Sequence, residues 1–401
     1  MRHPIRHLLL AILFVILSNG GTLAQSVHHY VFFDRERERI SEESFLSTQA
    51  FEGAQLKYTW RELEPQKDNY DFSAIRKDLA FLTSKGKKLF IQLQDVTFSA
   101  QRVFVPEYLR TPEYNDGVAP QYRIVNGDEE HTTISGWVAR RWDPAVQERF
   151  HKLLATLGKE FDGKIEGIVL AETSIGFGPT GKLAPKGFTN EIYRDAVITN
   201  MKALKRAFPK SVVMQYANFM PGEWLPGEDK SYLRSVYKAA QEIGVGVGGP
   251  DLLPFKRPQL NHAYPLIKDS SGKVPTGIAV QEGNYAEANP ATGQRPTIAE
   301  LLQFATNNLK VNYVFWCTEE PYYSKEVIPF FSHKKAQEAQ KCKFTFVLLV
   351  PFCGYYFFTC LDRLCWSPLV SFSRRRRRAT PCWSSRRVLP ALTQANPCHR
   401  S

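Results

Sequence analysis

The chain has 401 residues, with 52 Lys and Arg against 40 Asp and Glu, which gives a formal net charge of +12. The excess is local, because the residues from Lys341 onward hold 11 of the basic side chains and only one acidic side chain. Six of the seven cysteines also lie in that tail, and the remaining one is Cys317. Residues 1–340 therefore cannot form an internal disulfide framework, and a hydrophobic core must stabilise them.

The N-terminus has the pattern of a secretory signal peptide. Basic Arg2 and Arg6 precede the apolar run Leu8–Leu17, and Thr22-Leu23-Ala24 is a small-residue cleavage site. The apolar run is too short to span a bilayer comfortably. We therefore expect residues 1–24 to be removed and the mature protein to be secreted or periplasmic.

The C-terminal tail, residues 341–401, is rich in Cys and Arg and has neither helical nor strand periodicity. Phe344–Leu361, followed by Arg374–Arg378, fits a transmembrane anchor with cytosolic arginines. A basic nucleic-acid-binding arm is a second interpretation, but no nucleic-acid-binding motif accompanies it. We favour a third, a disordered or non-native extension, and expect neither a nucleic-acid partner nor a membrane contact.

Strand and helix patterns alternate along residues 25–340. The helical patterns cover a segment from Ile75 to its stop at Gly86, then Pro144–Phe161, Asn190–Phe208, Ser231–Ile243, Thr297–Leu309 and a weaker Lys325–Gln340. The predicted strands are Val27–Phe33, Ala54–Trp60, Leu89–Leu93, Gly167–Ala171, Val212–Ala217, Val245–Gly249, Gly277–Val280 and Val311–Cys317. The long connection Asp95–Asp143 is expected to be functional or locally structured.

Eight strands interleaved with helices predict a parallel α/β fold. No Gly-rich phosphate loop follows the first predicted strand, and GxxxxGK[ST] does not occur, so the nucleotide-binding open sheets lose their main support. The sequence therefore predicts a (β/α)8 TIM barrel with a weak sixth helix over residues 25–340.

Polar and aromatic side chains follow the predicted strands, and in a barrel such residues share one rim. Amides, carboxylates and aromatic rings together suit a polyhydroxylated ligand, an oligo- or polysaccharide. The substrate-binding candidates are Trp60, Arg61, Gln94, Gln215, Tyr216, Asp251 and Trp316.

Glycoside cleavage needs two carboxyl groups across the scissile bond. Glu172 and Glu282 are the best pair, because each ends a strongly apolar strand, the fourth and the seventh. The alternative for either is a structural carboxylate that caps a helix or binds a lysine. Glu319 is a rival second carboxylate, and for it we favour a loop charge.

The run Tyr58-Thr59-Trp60-Arg61-Glu62-Leu63-Glu64-Pro65, followed by Tyr70-Asp71-Phe72, resembles the second-strand signature of retaining glycosidases of the clan A (β/α)8 type, such as β-galactosidases and cellulases. The resemblance spans residues 50–320 and implies Glu172 as acid/base, Glu282 as nucleophile and Trp316 as sugar platform. Two positions depart from that pattern: Ala171 stands where the clan has Asn, and Lys57 where Arg is common.

No cofactor or metal is expected. His28-His29 and Asp128–His131 lack the spacing of known zinc motifs, and Cys317 has no partner motif that marks a nucleophile. Because of Ala171, a non-catalytic carbohydrate-binding barrel is the alternative function, with membrane anchoring through residues 344–361 as a variant of it.

Overall fold

The computed structural model describes residues 27–125 and 128–332. The predicted signal peptide, the tail and the candidate anchor lie outside these residues. Among the residues that are described, no helix is both long and apolar enough to cross a membrane.

Eight parallel strands close into a barrel, which confirms the predicted fold class. Around the barrel the order is β1, β2, β3, β7, β8, β9, β10 and β11, and β11 pairs with β1 to close it. The strands in chain order are β1 (His28–Phe32), β2 (Phe51–Thr59), β3 (Lys88–Gln94), β4 (Val96–Thr97), β5 (Val118–Val125), β6 (Asp128–Ala139), β7 (Gly167–Leu170), β8 (Val212–Tyr216), β9 (Gly246–Gly249), β10 (Thr276–Val280) and β11 (Tyr313–Cys317).

Helices follow most barrel strands. They are α1 (Glu43–Ser47), α2 (Trp60–Leu63), α3 (Ser73–Ser84), α4 (Pro144–Phe161), α5 (Asn190–Ala207), α6 (Tyr232–Ile243), α7 (Arg257–Asn261), α8 (Ala263–Ser270) and α9 (Ile298–Gln303). Asp143 caps α4 by accepting from Ala145 N at 2.9 Å and Val146 N at 3.2 Å, and Pro144 occupies its first turn. The weak sixth helix consists of the short α7 and α8. The π-helical turn Phe304–Leu309 continues α9. A second π-helical turn, Tyr323–Val327, follows β11.

The long connection after β3 is locally structured, as predicted. Strands β4, β6 and β5 form a separate antiparallel sheet in that order. The edge strand β5 meets the loop after β7, where Tyr122 N donates to Gly176 O at 2.9 Å. This sheet therefore flanks the part of the rim that carries Glu172.

Aromatic rings from non-adjacent strands meet inside the barrel and show which side chains of these strands face the axis. Phe90 of β3 lies 5.0 Å from Phe315 of β11 and 5.9 Å from Tyr30 of β1, centroid to centroid. Since side chains alternate along a strand, residues an even number of positions away also face the axis. Within the strands the others face the helices.

Candidate active site

Glu172 lies just beyond β7, at the carboxyl end of the fourth barrel strand. Its carboxylate Oε2 accepts a hydrogen bond of 2.6 Å from Asn218 Nδ2, which follows β8. The Asn218 Oδ1 atom accepts from Phe219 N at 3.0 Å, so the amide nitrogen is directed at the carboxylate. Two neighbouring strand ends thus hold the acidic group at the rim.

The Glu172 carboxyl group is much harder to ionise than an ordinary glutamate. Burial raises its pKa from 4.5 to about 7, and the negative charge of Asp251 adds to that effect. The Asn218 hydrogen bond and the positive charges of Lys57 and Arg141 oppose it. A carboxyl group with this pKa can donate a proton near neutral pH.

A buried ion pair supports the backbone beneath Glu172. Arg141, after β6, donates to both carboxylate oxygens of Asp95, after β3, at 2.7 and 2.5 Å. A further nitrogen of Arg141 donates to the Glu172 carbonyl at 2.9 Å and to Tyr193 Oη at 2.8 Å. Bidentate pairs of this kind have restrictive geometry, so the antiparallel sheet helps to position Glu172.

Glu282 lies at the other side of the rim, after β10, and is exposed. It lines a cavity of about 920 Å³ together with Lys57. Glu319, the rival carboxylate, lines the same cavity, but its Oε2 accepts from Gly283 N at 2.9 Å. The two acidic residues are therefore neighbours, and Glu319 also has a structural contact.

The other charges around this cavity are mostly paired with one another. Arg35 binds Glu62 at 3.0 Å, and Lys57 binds Asp34 at 2.9 Å. The lining side chains are Phe32, Asp34, Arg35, Glu36, Arg37, Glu38, Arg39, Lys57, Glu62, Arg102, Gln281, Glu282, Cys317, Thr318, Glu319 and Glu320. Such a polar wall suits a ligand that carries many hydroxyl groups.

Three predicted substrate-binding residues point away from the axis. Trp316 is fully buried and packs against Phe331 at 5.2 Å, and Trp60 packs against Phe150 of α4 at 5.1 Å. Gln215 is also buried and donates to the Ala171 and Tyr216 carbonyls. In contrast to the expectation from the sequence, these three side chains offer no face to a sugar.

The remaining substrate-binding candidates are divided between the barrel and its surface. Gln94 and Tyr216 face the axis and are buried, and Tyr216 Oη accepts from Gln55 Nε2 at 3.4 Å. Asp251 is half-buried at the rim and accepts from Gln259 and Asn284. Arg61 is exposed outside the barrel and pairs with Glu107 at 3.2 Å. Of these four, Asp251 acts on Glu172, because its negative charge raises the pKa of the Glu172 carboxyl group.

The motif that carries the sequence resemblance is structural in this chain. Trp60 Nε1 donates to Glu64 Oε2 at 2.9 Å, and the fully buried Glu64 also binds Arg149 of α4. Asp68 N donates to Glu64 Oε1 at 3.1 Å. The Trp and Glu of this motif therefore join the second barrel strand to helix α4.

The weaker metal candidates have protein partners. His28 Nδ1 contacts Glu52 at 2.7 Å, and His131 Nδ1 contacts Asp128 at 2.9 Å. Over residues 27–125 and 128–332, no group of three or more His, Cys, Asp or Glu side chains is arranged to hold a metal ion. Cys317 is buried and faces the axis, and burial raises its pKa to about 12.

Asn218, Arg141 and Lys57 shape the Glu172 carboxyl group, and the sequence did not assign a site role to any of them. Asn218 is among the polar residues that follow the predicted strands, but the sequence assigned it no role; its position two residues beyond the inward-facing Tyr216 agrees with a place at the rim. Arg141 follows a long excursion, and nothing local indicates that it returns beside Asp95. In the sequence Lys57 stands out only as a departure from the clan pattern.

No family model and no curated protein matches this chain. Among solved structures it resembles xylanase 10B from Thermotoga petrophila RKU-1, at 13% identity and a TM-score of 0.42, over 73% of this chain and 83% of that one. A GH5_18 protein from Streptomyces cattleya, in complex with GlcNAc, gives 15% identity and a TM-score of 0.46, over 73% of this chain and 70% of that one.

A family 39 glycoside hydrolase from Bacteroides cellulosilyticus WH2 gives 13% identity and a TM-score of 0.44, over 73% of this chain. The chain spans 56% of the length of that protein. Identities this low concern the fold alone, and the fold is established independently by the strand order of the barrel. The chain is a closed (β/α)8 barrel whose neighbours among solved structures include glycoside hydrolases.

Proposed function

We propose that this protein is a glycosidase that cleaves O-glycosidic bonds of an oligo- or polysaccharide by a retaining double displacement. The observation that carries the proposal is the Glu172 carboxyl group, at the carboxyl end of the fourth barrel strand with a pKa of about 7. Catalytic groups of this fold lie at that end of the barrel. A carboxyl group that stays protonated near neutral pH is what protonation of a leaving group requires.

In the first step Glu172 donates its proton to the glycosidic oxygen as the bond from that oxygen to the anomeric carbon breaks. Glu282, as a carboxylate, attacks the anomeric carbon and forms a glycosyl ester. In the second step the Glu172 carboxylate takes a proton from water, the water oxygen attacks the anomeric carbon, and Glu282 leaves. The proton returns to Glu172 and the product keeps its anomeric configuration.

Asn218, Asp251 and Lys57 influence the pKa of Glu172 and form no bond to the substrate in either step. The negative charge of Asp251 favours protonated Glu172, whereas the Asn218 hydrogen bond and the charge of Lys57 favour the carboxylate. These opposing influences suit a group that must give up a proton in one step and accept one in the next.

Substrates with different leaving groups distinguish a catalytic acid from a carboxylate that has only a structural role. For Glu172→Gln we expect hydrolysis of an alkyl glycoside to fall by about 10²–10⁴-fold. Cleavage of a dinitrophenyl glycoside should fall far less in the glycosylation step, because that leaving group departs without protonation. Glu282→Gln should abolish turnover of both substrates, and Glu319→Gln is the matched control on the same cavity wall.

The stereochemistry of the product is read by proton NMR immediately after cleavage by the full-length protein. Retention is expected. An inverted product would exclude the double displacement. A parent protein that binds glycans but hydrolyses none would favour the non-catalytic barrel, for which Ala171 in place of Asn is the motivating feature.

We also propose that the protein acts outside the cytosol, since residues 1–24 have the pattern of a cleaved leader. Sequencing the N-terminus of the exported protein tests this directly. A first residue of Gln25 is expected, and retention of Met1 on a cytosolic product would contradict it.

A further inference from the structure

We propose that Trp224 is a stacking platform for a sugar ring next to the cleaved bond, which makes the substrate an oligosaccharide rather than a single glycoside. This inference rests on the proposed glycosidase function and specifies its substrate. It replaces Trp316, whose ring is covered by Phe331.

Trp224, in the loop after β8, is unusual because a large aromatic side chain remains 54% exposed. One face of its indole stacks on Phe219, with centroids 5.6 Å apart and planes inclined by 6°. His262 contacts it at 4.7 Å with planes at 62°. Phe219 thus covers one face, His262 meets the ring at a steep angle, and more than half of the side chain remains in contact with solvent.

The segment around Trp224 is held in place on both sides. On one side the buried Glu223 carboxylate accepts from Tyr232 N at 3.0 Å and Leu233 N at 2.6 Å. On the other, Leu225 N donates to His262 Nε2 at 2.8 Å. A ring held in advance loses little conformational freedom when a ligand stacks on it.

The backbone of Trp224 is fixed as well. Its N–H donates to Glu228 O at 3.2 Å, and Glu228 N donates back to Trp224 O at 2.9 Å. The exposed indole is thus part of an ordered turn and not of a free loop tip.

Two hydrogen bonds tie this stack to the acid. Asn218, the residue before Phe219, donates to Glu172 at 2.6 Å. Thr173, the residue after Glu172, donates from Oγ1 to Phe219 O at 2.7 Å. The backbone of Phe219, on whose ring Trp224 stacks, is therefore linked to Asn218, which donates to Glu172, and to Thr173, which follows Glu172 in the chain.

The other large apolar side chains that are strongly exposed in the described chain lack this setting. Phe98 is 61% exposed, and within residues 27–125 and 128–332 no aromatic ring stacks on it. An indole presents a flat, electron-rich face, on which the C–H groups of a sugar ring can pack while its hydroxyl groups remain in water. Phe98 is accordingly the control.

The test uses the full chain with Trp224→Ala, Trp224→Phe and Phe98→Ala. The probes are β-1,4-linked gluco-, xylo- and manno-oligosaccharides of two to six units, with the matching aryl monoglycosides. For Trp224→Ala we expect kcat/KM on the best oligosaccharide to fall about tenfold more than on its aryl monoglycoside, mainly through KM. Trp224→Phe should recover much of the loss, and Phe98→Ala should leave both substrates unaffected.

Equal losses on both substrates, or none on either, would overturn the platform. Calorimetric titration of the same oligosaccharides into Glu172→Gln, with and without Trp224→Ala, measures binding without hydrolysis. A weaker affinity on loss of Trp224 supports the platform even if the parent hydrolyses nothing, in which case the proposed reaction alone fails. Absence of binding to every oligosaccharide overturns the platform as well.

Discussion

Glu172→Gln should stabilise the protein at alkaline pH, because the folded state resists ionisation of this carboxyl group. In the unfolded chain a glutamate titrates near 4.5, whereas burial raises the pKa of Glu172 in the fold to about 7. Below the lower value both states are protonated and stability does not depend on this group. Between the two values the folded state binds more protons than the unfolded state, so the free energy of unfolding falls as pH rises.

The full difference between those pKa values corresponds to about 3 kcal/mol at pH 8. Glu172 retains some contact with solvent, so we expect about 1–3 kcal/mol. Glutamine does not titrate, and its Oε1 atom can still accept the hydrogen bond from Asn218 Nδ2. The variant should therefore gain that amount relative to the parent between pH 4 and pH 8.

The assay is urea unfolding of both proteins at pH 4, 6 and 8, with the difference in unfolding free energy plotted against pH. Glu300→Gln is a control of opposite sign, because Glu300 accepts from Thr297 N at 2.8 Å and this backbone hydrogen bond lowers its pKa. That variant should lose stability relative to the parent as pH rises. If the difference between Glu172→Gln and the parent were constant across this range, Glu172 would not have the raised pKa on which the mechanism depends.

Two further predictions concern charges around the barrel. Asp251→Asn removes a negative charge that raises the pKa of Glu172, so the alkaline limb of the kcat/KM profile should move to lower pH; an unchanged or higher limb would refute this coupling. Arg149→Met leaves the fully buried Glu64 without its partner and should cost about 3–5 kcal/mol in urea unfolding. The exposed Arg76, paired with Glu160, is the control, for which the same substitution should change the free energy of unfolding far less.

Much of the fold could be predicted because parallel strands buried on both faces are short apolar runs. Val212–Tyr216 lies within the predicted Val212–Ala217, and α4 has the predicted bounds Pro144–Phe161. The antiparallel sheet in the Asp95–Asp143 connection could not be specified, since its strands bend through irregular register. One such shift lies between Gln121 and Tyr122.

In the candidate site, the direction of the side chains is the property that the sequence predicts least well. Trp316 and Cys317 are adjacent at the end of β11, and only one of them can face the axis. Phe315 contacts Phe90 and Tyr30 across the interior, so Cys317 faces inward and Trp316 faces the helices. A sequence gives the positions of strand ends within a residue or two, but a shift of one residue exchanges the two faces.

The contrast between Glu64 and Glu172 shows why a motif and a site must be judged separately. Both are carboxylates after a buried strand of the same barrel. Glu64 is bound by Arg149, Trp60 and a backbone N–H, so each of its oxygens accepts a hydrogen bond from the protein. Glu172 has a neutral amide as its partner and a negative charge nearby, and burial therefore raises its pKa to about 7.

That difference arises from residues distant in sequence. Three of the groups that act on Glu172 follow or belong to β2, β8 and β9, and they come together because the sheet closes into a barrel. No window around KIEGIVLAETSI contains them. The Trp60 and Glu64 motif belongs to the scaffold of the barrel, whereas the chemistry of Glu172 depends on the closed sheet that brings Lys57, Asn218 and Asp251 around one carboxyl group.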